Sequence, residues 1–362
     1  MISRIALVLV SAAGLLAAQT PATKPAAKKA AAPRAAAASY KDLKFPPLRQ
    51  VQIPSVETHT LPNGMKLYLL ENHELPLVSG FALVRTGNLF DPADKAGTAT
   101  MTGIVMRTGG TRAQTGDALD EKLENIAASV ESSIDETSGR VSFSALKENI
   151  TEVLAAFYDV TTAPEFRQDK IELARTRLRS SIARRNDDPH GIVQREFSDI
   201  LYGRDNPYGW RMEYEHIDRI TRDDLAAFHR RYFFPENVML AVHGDFKSAE
   251  MKAQIEKLFA GWTVKQPAVP PFPPVTNKPK PGVYLAAKTD VTQTFFALGH
   301  QGGMLKDKDY PALEVMADIL GGGFRSRLFD RVRTKLGKAY SISASWGANY
   351  NHPGLFQISG ST

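Results

Sequence analysis

The sequence predicts an α+β protein with two domains, in which antiparallel strands are covered by helices. First, segments of alternating apolar and polar residues are interleaved with segments whose apolar residues recur every three or four positions. Second, tight turn signals such as Asn63-Gly64 join neighbouring strand segments, which is typical of hairpins. Third, the proline-rich segment 263–282 separates a longer first part from a shorter second part with the same kinds of element.

The first part begins near Val51 and supplies most of the predicted elements. Its predicted strands cover 58–60, 65–70, 77–86, 130–135, 141–145 and 238–243. Its predicted helices cover 93–106, 117–129, 149–160, 167–185, 192–201, 221–232 and 249–258. Thr221 and Asp224 have the spacing of a capping box, which favours a helix start at that point. Helix 93–106 is rich in small residues and is expected to be buried.

The second part predicts strands over 283–287, 292–299, 339–346 and 355–359, and a helix over 310–320. A further amphipathic helix is expected from a stripe of four apolar residues, Phe324, Leu328, Val332 and Leu336. The glycines at 321–323 precede this helix as a hinge or as a plain turn, and Gly337 stands at its C-terminal cap. Only about 80 residues follow the linker, which is short for a domain. We expect the second domain to be incomplete.

The amino terminus predicts export. Arg4 precedes an apolar run that is too short to span a bilayer comfortably and ends in small residues, which is typical of a secretory signal peptide. An uncleaved anchor is the alternative. The predicted organisation is a signal peptide (1–19), an Ala/Pro/Lys-rich disordered spacer (20–50), an N-terminal domain (51–262), a linker (263–282) and a C-terminal domain (283–362). The chain has no cysteine, and with export this favours a bacterial periplasm.

The net charge of +6 does not indicate a nucleic-acid partner. Eight of the 45 Lys and Arg residues lie in residues 1–54, together with one of the 39 Asp and Glu residues. The remainder is therefore close to neutral, whereas a nucleic-acid footprint should lie on the folded part. We expect no nucleic-acid partner, and no membrane contact after signal cleavage.

Arg333 and Tyr340 are the candidate substrate-binding residues. Arg333 falls in the last turn of the helix expected after the glycines, and Tyr340 falls at the first positions of the next strand. A guanidinium and a phenol on two rigid elements could both donate hydrogen bonds to one carbonyl oxygen. Spacing alone favours the simpler interpretation, in which Arg333 is solvated and Tyr340 is half-buried packing.

Four segments together resemble the insulinase/pitrilysin family of zinc peptidases. They are THTLPNGMKLYLLENHELPLVS from Thr58, the loop Asn206-Pro207-Tyr208-Gly209, the segment Ile220 to Phe246, and SRLF with Arg333 and Tyr340. The resemblance covers about Val56 to Thr362. It implies two similar α+β domains, as in mitochondrial processing peptidase, and a peptide enclosed between two such halves.

The resemblance also implies where a zinc site would lie. Active members carry an inverted His-x-x-Glu-His motif on a first-domain helix, and a distal glutamate completes the site. Thr100 stands for the first histidine, Gly103 for the glutamate and Ile104 for the second histidine, while Ser181 stands for the distal glutamate. No His-x-x-Glu-His or His-Glu-x-x-His occurs in the chain. We expect no cofactor in this chain.

In the family, the Arg/Tyr pair binds the substrate backbone, and some bacterial members place zinc and this pair on different subunits. The resemblance therefore favours a functional role for Arg333 and Tyr340. We expect an exported subunit, inactive alone, that forms a heterodimer with a zinc-bearing homologue for peptide hydrolysis. One alternative is an inert scaffold or peptide-binding homologue. A weaker one is a peptidase with a different metal site, although the eight histidines are scattered.

Overall fold

The computed structural model describes Lys44, Pro46, Pro47 and residues 54–362. The predicted signal peptide and nearly all of the predicted spacer lie outside these residues. Among the described residues, no helix combines the length and the apolar character needed to cross a membrane.

The first part of the fold is a six-stranded sheet with helices packed against one of its faces. Its strands are β1 (Glu57–Thr60), β2 (Lys66–Glu71), β3 (Leu77–Arg85), β4 (Ser129–Ile134), β5 (Ser138–Leu146) and β6 (Val238–Gly244). Its helices are α1 (Thr98–Thr108), α2 (Gly116–Asn125), α3 (Ile150–Thr162), α4 (Gln168–Arg184), α5 (Pro189–Tyr202), α6 (Tyr214–Arg219), α7 (Arg222–Tyr232) and α8 (Ser248–Phe259). The predicted helices and strands of this part are confirmed, with ends that shift by a few residues.

The strand order is β1-β2-β6-β3-β5-β4. All neighbouring pairs are antiparallel except β2 and β6, which run parallel. This parallel pair corrects the expectation of a purely antiparallel sheet. Because β6 follows β2 only after more than one hundred and fifty residues of strands and helices, the connection is long enough to return in the same direction.

The Asn63-Gly64 turn between β1 and β2 is confirmed as a hairpin. Gly64 has a φ of +92°, a conformation that glycine adopts without a steric penalty. The Asn63 side chain accepts a hydrogen bond from the Met65 N–H and donates to the carbonyl oxygens of Phe259 and Trp262. The turn is thereby anchored to the end of α8.

The main core lies between the sheet and its helices. Along β3 and β5 alternate residues are buried, as a sheet with one covered face requires. The largest fully buried side chains include Leu67 and Leu69 of β2, Met101 of α1, Phe157 of α3 and Phe259 of α8. Helix α1 packs against β4, α4 and α7 and is at the centre of this arrangement. The expectation that α1 is buried is confirmed.

No regular structure forms between Phe259 and Phe295. The strand predicted over 283–287 is wrong, since Val283 and Leu285 are 90% and 94% exposed. Alternation indicates a strand only where a neighbouring edge can pair with it, and none of the strands in the described part pairs with this segment.

The second part contains a three-stranded antiparallel sheet of order β7-β11-β9. Its elements are β7 (Phe295–Gln301), β8 (Gly303–Met304), α9 (Tyr310–Gly321), β9 (Ser341–Trp346), β10 (Ala348–Asn349) and β11 (Leu355–Ser361). Helix α9 packs on β9, and α5 of the first part packs on β7. The predicted strand over 292–299 is confirmed in a shifted position.

The loop Asn206-Pro207-Tyr208-Gly209 contacts both the linker and the second part. The Tyr208 hydroxyl donates to the carbonyl oxygen of Pro273 over 2.7 Å, and the Tyr208 ring packs on His352 with centroids 4.4 Å apart. The neighbouring Tyr202 hydroxyl donates to the carbonyl oxygen of Pro353. Burial lowers the pKa of His352 to about 4, which keeps this contact neutral at physiological pH.

Candidate functional site

Helix α1 carries three of the four positions that correspond to a zinc site, and its start is fixed by a buried carboxylate. Gly97 precedes the helix with a φ of +107°. The Asp91 carboxylate accepts hydrogen bonds from the Gly97 and Ala99 N–H groups over 2.7 and 2.8 Å. Burial raises the pKa of Asp91 to about 7, although the two N–H groups favour the ionised form. The cap satisfies helix N–H groups that have no partner within the helix.

Thr100 and Ile104 lie one turn apart on α1, as the motif requires, but neither side chain can bind zinc. The Thr100 hydroxyl donates to the Asn88 side-chain oxygen over 3.1 Å. Ile104 packs against the hydrophobic core. Zinc sites in proteins use thiolate, imidazole and carboxylate ligands, and these positions offer none of them.

Gly103 lies against the backbone of β4. A Cβ atom at this position would stand 2.4 Å from the Ile134 nitrogen, and the Ser132 hydroxyl donates to the Gly103 carbonyl oxygen over 2.6 Å. A glutamate side chain at Gly103 would require β4 to move. The position that the resemblance assigns to the catalytic base therefore has no room for a larger side chain.

Ser181 lies on an exposed position of α4, the helix that packs against α1. The fold therefore places the four positions on two helices in contact. Their side chains do not fit a zinc ion. Within residues 54–362 and the three described residues before them, no group of three or more His, Cys, Asp or Glu side chains could hold a metal ion.

Among the other histidines, His229 of α7 is packed between helices and belongs to no group of metal-ligating side chains in the described part of the chain. It is buried, stacks on Phe233 with ring centroids 4.6 Å apart and donates from Nε2 to the Thr161 carbonyl oxygen. Complete burial lowers the pKa of His229 to about 4.

Arg333 and Tyr340 are brought together in the second part. The guanidinium carbon of Arg333 lies 5.3 Å from the centroid of the Tyr340 ring and 4.7 Å from that of Phe329. The Tyr340 N–H donates to the Ser361 carbonyl oxygen, which fixes Tyr340 at the edge of β9. Tyr340 is 68% exposed, so it is not the half-buried packing that the spacing alone favoured.

Both side chains retain free donors in the described structure. Among residues 54–362, no carboxylate pairs with the Arg333 guanidinium, and neither Arg333 nor the Tyr340 hydroxyl makes a side-chain hydrogen bond within this region. The two groups can therefore donate to an oxygen atom of a bound molecule. The contact of the guanidinium with two aromatic faces restricts its position without occupying its N–H groups.

The segment before Tyr340 corrects the prediction of an amphipathic α-helix from Phe324. Residues 322–326 form turns, and Phe329–Lys335 is a π-helix. The Leu336 N–H bonds to the Arg331 carbonyl oxygen, five residues back. π-Helical turns are rare and often occur at functional sites. Gly337 ends the segment with a φ of +59°, as expected for a C-terminal glycine.

The three glycines before this segment have different surroundings. A Cβ atom at Gly321 would stand 2.1 Å from the Ala344 nitrogen, so the end of α9 and strand β9 approach closely there. A Cβ atom at Gly323 would have no atom within 4 Å. The close approach is therefore specific to Gly321, and the contacts at the triplet give no sign of a hinge.

Together these features describe an α+β protein with an Arg–Tyr pair on its second part and no metal-ligating side chain at the positions that the resemblance assigns to zinc. The chain belongs to the insulinase family. The family model described as insulinase (peptidase family M16) matches residues 69–209, and the model described as peptidase M16 inactive domain matches residues 219–362.

Relatives and solved structures agree with this family. An uncharacterized zinc protease of Rickettsia bellii is 25% identical over 312 residues, which cover 83% of this chain and 72% of the relative. An uncharacterized zinc protease of Mycobacterium leprae is 33% identical over 177 residues, 48% of this chain and 40% of that relative. Among solved structures, a peptidase M16 inactive domain from Pseudomonas fluorescens has a TM-score of 0.75 at 23% identity, covering 85% of this chain and 74% of that one. A Helicobacter pylori protease has a TM-score of 0.72 at 20% identity, covering 85% of this chain and 75% of that one.

Proposed function

We propose that this chain is an exported subunit that is inactive alone and supplies Arg333 and Tyr340 to a zinc-bearing homologue for peptide hydrolysis. One observation supports this above the others. Tyr340 is exposed, Arg333 is partly exposed, and neither side chain has a hydrogen-bond partner among the described residues, whereas the position that the resemblance assigns to the catalytic base on α1 is closed by β4. In this proposal the chain supplies the hydrogen-bond donors of a peptidase site and lacks its metal-binding residues.

The chemistry of the pair suits a peptide carbonyl. The Arg333 N–H groups and the Tyr340 hydroxyl can donate to the same oxygen, and donors placed where an oxyanion develops contribute about 3 kcal/mol each to the transition state. They orient the scissile bond and hold the developing charge. The homologue's zinc would supply the activated water. Positions 100, 103, 104 and 181 of this chain carry no metal-binding side chain and would take no part in that step.

The relatives support a peptidase assembly because they are described as zinc proteases. Strand β4 offers a second feature that suits a peptide. In the described part of the chain it pairs only with β5, so it is an edge strand, and it lies directly against α1. An extended peptide can add to such an edge through main-chain hydrogen bonds.

The experiment compares peptide hydrolysis by the purified chain alone, by a zinc-bearing homologue alone and by their mixture. We expect substantial activity only in the mixture, and a loss of about one hundred-fold with Arg333→Ala. Arg331→Ala is the matched control, since Arg331 lies on the same π-helix and is exposed. Full activity of the Arg333→Ala mixture would contradict the proposal.

An inert scaffold is the second candidate. The closure of Gly103 favours it, because a position without space for a catalytic side chain cannot act on a substrate. A scaffold would form the heterodimer without changing the homologue's activity. Complex formation by size-exclusion chromatography, combined with the activity of the mixture, separates the two functions.

A further inference from the structure

A basic pocket lies at the C-terminal end of α4. It has a volume of about 370 Å³ and is lined by Arg185, Asn186, Ile192, Arg195, Glu196, Arg211, Ala287 and Lys288. Four of these side chains are cationic and one is anionic. Four separate segments converge here: the end of α4, α5, the loop at Arg211 and the chain before β7.

The pocket adjoins α4, the helix that carries Ser181. Arg185 follows Ser181 by one helical turn, so the two residues share a face at the end of α4. The Arg185 guanidinium donates to the Met212 carbonyl oxygen over 3.1 Å. The Met212 side chain in turn contacts Gly97, where α1 begins. Arg185 and Met212 therefore connect the pocket to the start of α1.

The acidic side chains around the pocket pair with every cation except Arg195. Arg185 pairs with Glu213, and Lys288 pairs with Asp290. Glu196 and Asp199 are shared between Arg204 and Arg211. Among the described residues no carboxylate lies within ion-pair distance of Arg195, whose guanidinium donates only to the Arg185 carbonyl oxygen and the Asn186 side chain.

The donors of the pocket are incompletely satisfied. The Nε atoms of Arg195 and Arg211 are buried and have no hydrogen-bond partner, and they are two of seven such atoms in the described part of the chain. Burial, followed by the positive charges of Arg211 and Arg185, lowers the pKa of Arg195. A buried donor without a partner is costly. Each terminal nitrogen of Arg195 makes one hydrogen bond and keeps a second N–H group that can donate to an anion.

We propose that this pocket binds a carboxylate of a peptide, with Arg195 as its main contact and Arg211 and Lys288 at its border. The fork of N–H groups on a guanidinium matches a carboxylate in two parallel hydrogen bonds. That the carboxylate belongs to a peptide rests on the proposed function. The pocket would select peptides by a free C-terminus or an acidic side chain at a fixed distance from the cleavage position.

The test measures binding to the purified full chain by isothermal titration. The probes are N-acetyl-hexaalanine with a free C-terminal carboxylate, its C-terminal amide, the amide with one internal glutamate, and inorganic phosphate. We expect at least one carboxylate peptide to bind about ten-fold more tightly than the plain amide, because a charge-assisted hydrogen bond to a guanidinium is lost in the amide. The difference should disappear in Arg195→Gln.

Two further variants keep the test decisive. Arg179→Gln removes an exposed arginine of α4 that pairs with Asp218, away from the pocket, and should leave the ten-fold preference intact. Lys288→Gln removes a pocket cation whose only described ion pair is with Asp290 and should reduce the preference about two-fold to five-fold. This variant gives the answer if Arg195→Gln fails to fold, which its thermal unfolding would show.

Equal affinity for acid and amide peptides, a preference that persists in Arg195→Gln, or no binding of any peptide at about 10 mM would each overturn the assignment. Binding of phosphate without peptide would also overturn it and identify a pocket for free anions. The proposed function is tested separately, since it depends on Arg333 in the mixed assay. Acid-selective binding without coupled activity would remove that function and leave the pocket.

Discussion

In the proposed function, helix α1 and the Arg333–Tyr340 pair correspond to the two halves of one peptidase site, and their surroundings in the structure differ sharply. On α1, Gly103 is packed so closely against β4 that a Cβ atom would meet the Ile134 nitrogen at 2.4 Å. In the second part, Tyr340 is 68% exposed and lies beside a guanidinium with free donors. One half has become part of the core, and the other half remains at the surface.

This difference predicts that substitutions at the two places change the free energy of folding by different amounts. A position inside a close-packed core is held by the shape of its neighbours, so a return to the family's glutamate would cost folding free energy. A partly exposed arginine and an exposed tyrosine contribute little to folding, and stability alone gives no reason to keep them. The following predictions test this contrast by comparing the free energy of unfolding at the two places.

The largest effect is expected for Gly103→Glu. The new side chain would collide with the backbone of β4, and its carboxylate would be buried without a partner, so we expect a loss of about 4 kcal/mol in the free energy of unfolding or a failure to fold. Gly103→Ala should cost about 2 kcal/mol through crowding alone. Urea unfolding followed by circular dichroism measures both.

Gly323→Ala is the matched control for Gly103, because a Cβ atom at Gly323 has no neighbour within 4 Å. We expect a change within about 0.5 kcal/mol. If Gly103→Glu proved as stable as this control, β4 would be able to move away from α1, and the site could not be described as closed.

The second effect concerns His229, which lies on α7 beside α1. Its pKa is lowered to about 4 in the folded protein, whereas an unfolded histidine titrates near 6.5. The unfolded state therefore gains a proton first, so the stability that neutral His229 gives is complete above pH 6.5 and is lost as the pH falls to about 4. The loss approaches 3 kcal/mol.

The measurement for His229 is the difference in unfolding free energy between the wild type and His229→Gln across this pH range. Taking the difference cancels groups that titrate in both proteins, including Asp91, whose raised pKa changes stability in the opposite direction. A difference that stays constant between pH 7 and pH 4 would mean that His229 is accessible to protons in the folded core.

A smaller effect is expected for Ser132→Ala. The Ser132 hydroxyl donates to the Gly103 carbonyl oxygen over 2.6 Å and joins β4 to α1. Loss of one such hydrogen bond should reduce the free energy of unfolding by about 1 kcal/mol. Ser133→Ala on the same strand is the control, and an equal loss in both variants would assign the effect to strand propensity rather than to the contact with Gly103.

Local signals in the sequence predicted the parts of the fold that depend on neighbouring residues. The Asn63-Gly64 pair predicted its hairpin, and Thr221 with Asp224 predicted its capping box, which the structure contains. The closeness of Arg333 and Tyr340 could also be predicted from the sequence, because only the end of a short helix and a glycine lie between them. Each of these features is determined over a few residues.

Features that depend on contacts between distant residues could not be predicted from the sequence in the same way. The strand expected over 283–287 needed a partner edge, and the parallel pairing of β2 with β6 joins segments far apart in the chain. The closure of Gly103 depends on β4, and the basic pocket draws arginines from α4, α5 and the loop at Arg211. The π-helix arises from hydrogen bonds five residues apart, which an apolar stripe does not distinguish from those of an α-helix.

The smallest effect on stability is expected at the exposed pair, and it separates a functional from a structural role. Tyr340→Phe removes only the hydroxyl, which has no partner in the described structure, and keeps the ring beneath Arg333. The free energy of unfolding should change by less than about 0.5 kcal/mol. Arg333→Ala also removes two exposed cation–π contacts, so its loss should be about 1 kcal/mol. If either variant lost more than about 2 kcal/mol, the pair would be structural, and the contrast with Gly103 would disappear. If both remain stable while the mixed assay loses activity, the donors act on the substrate.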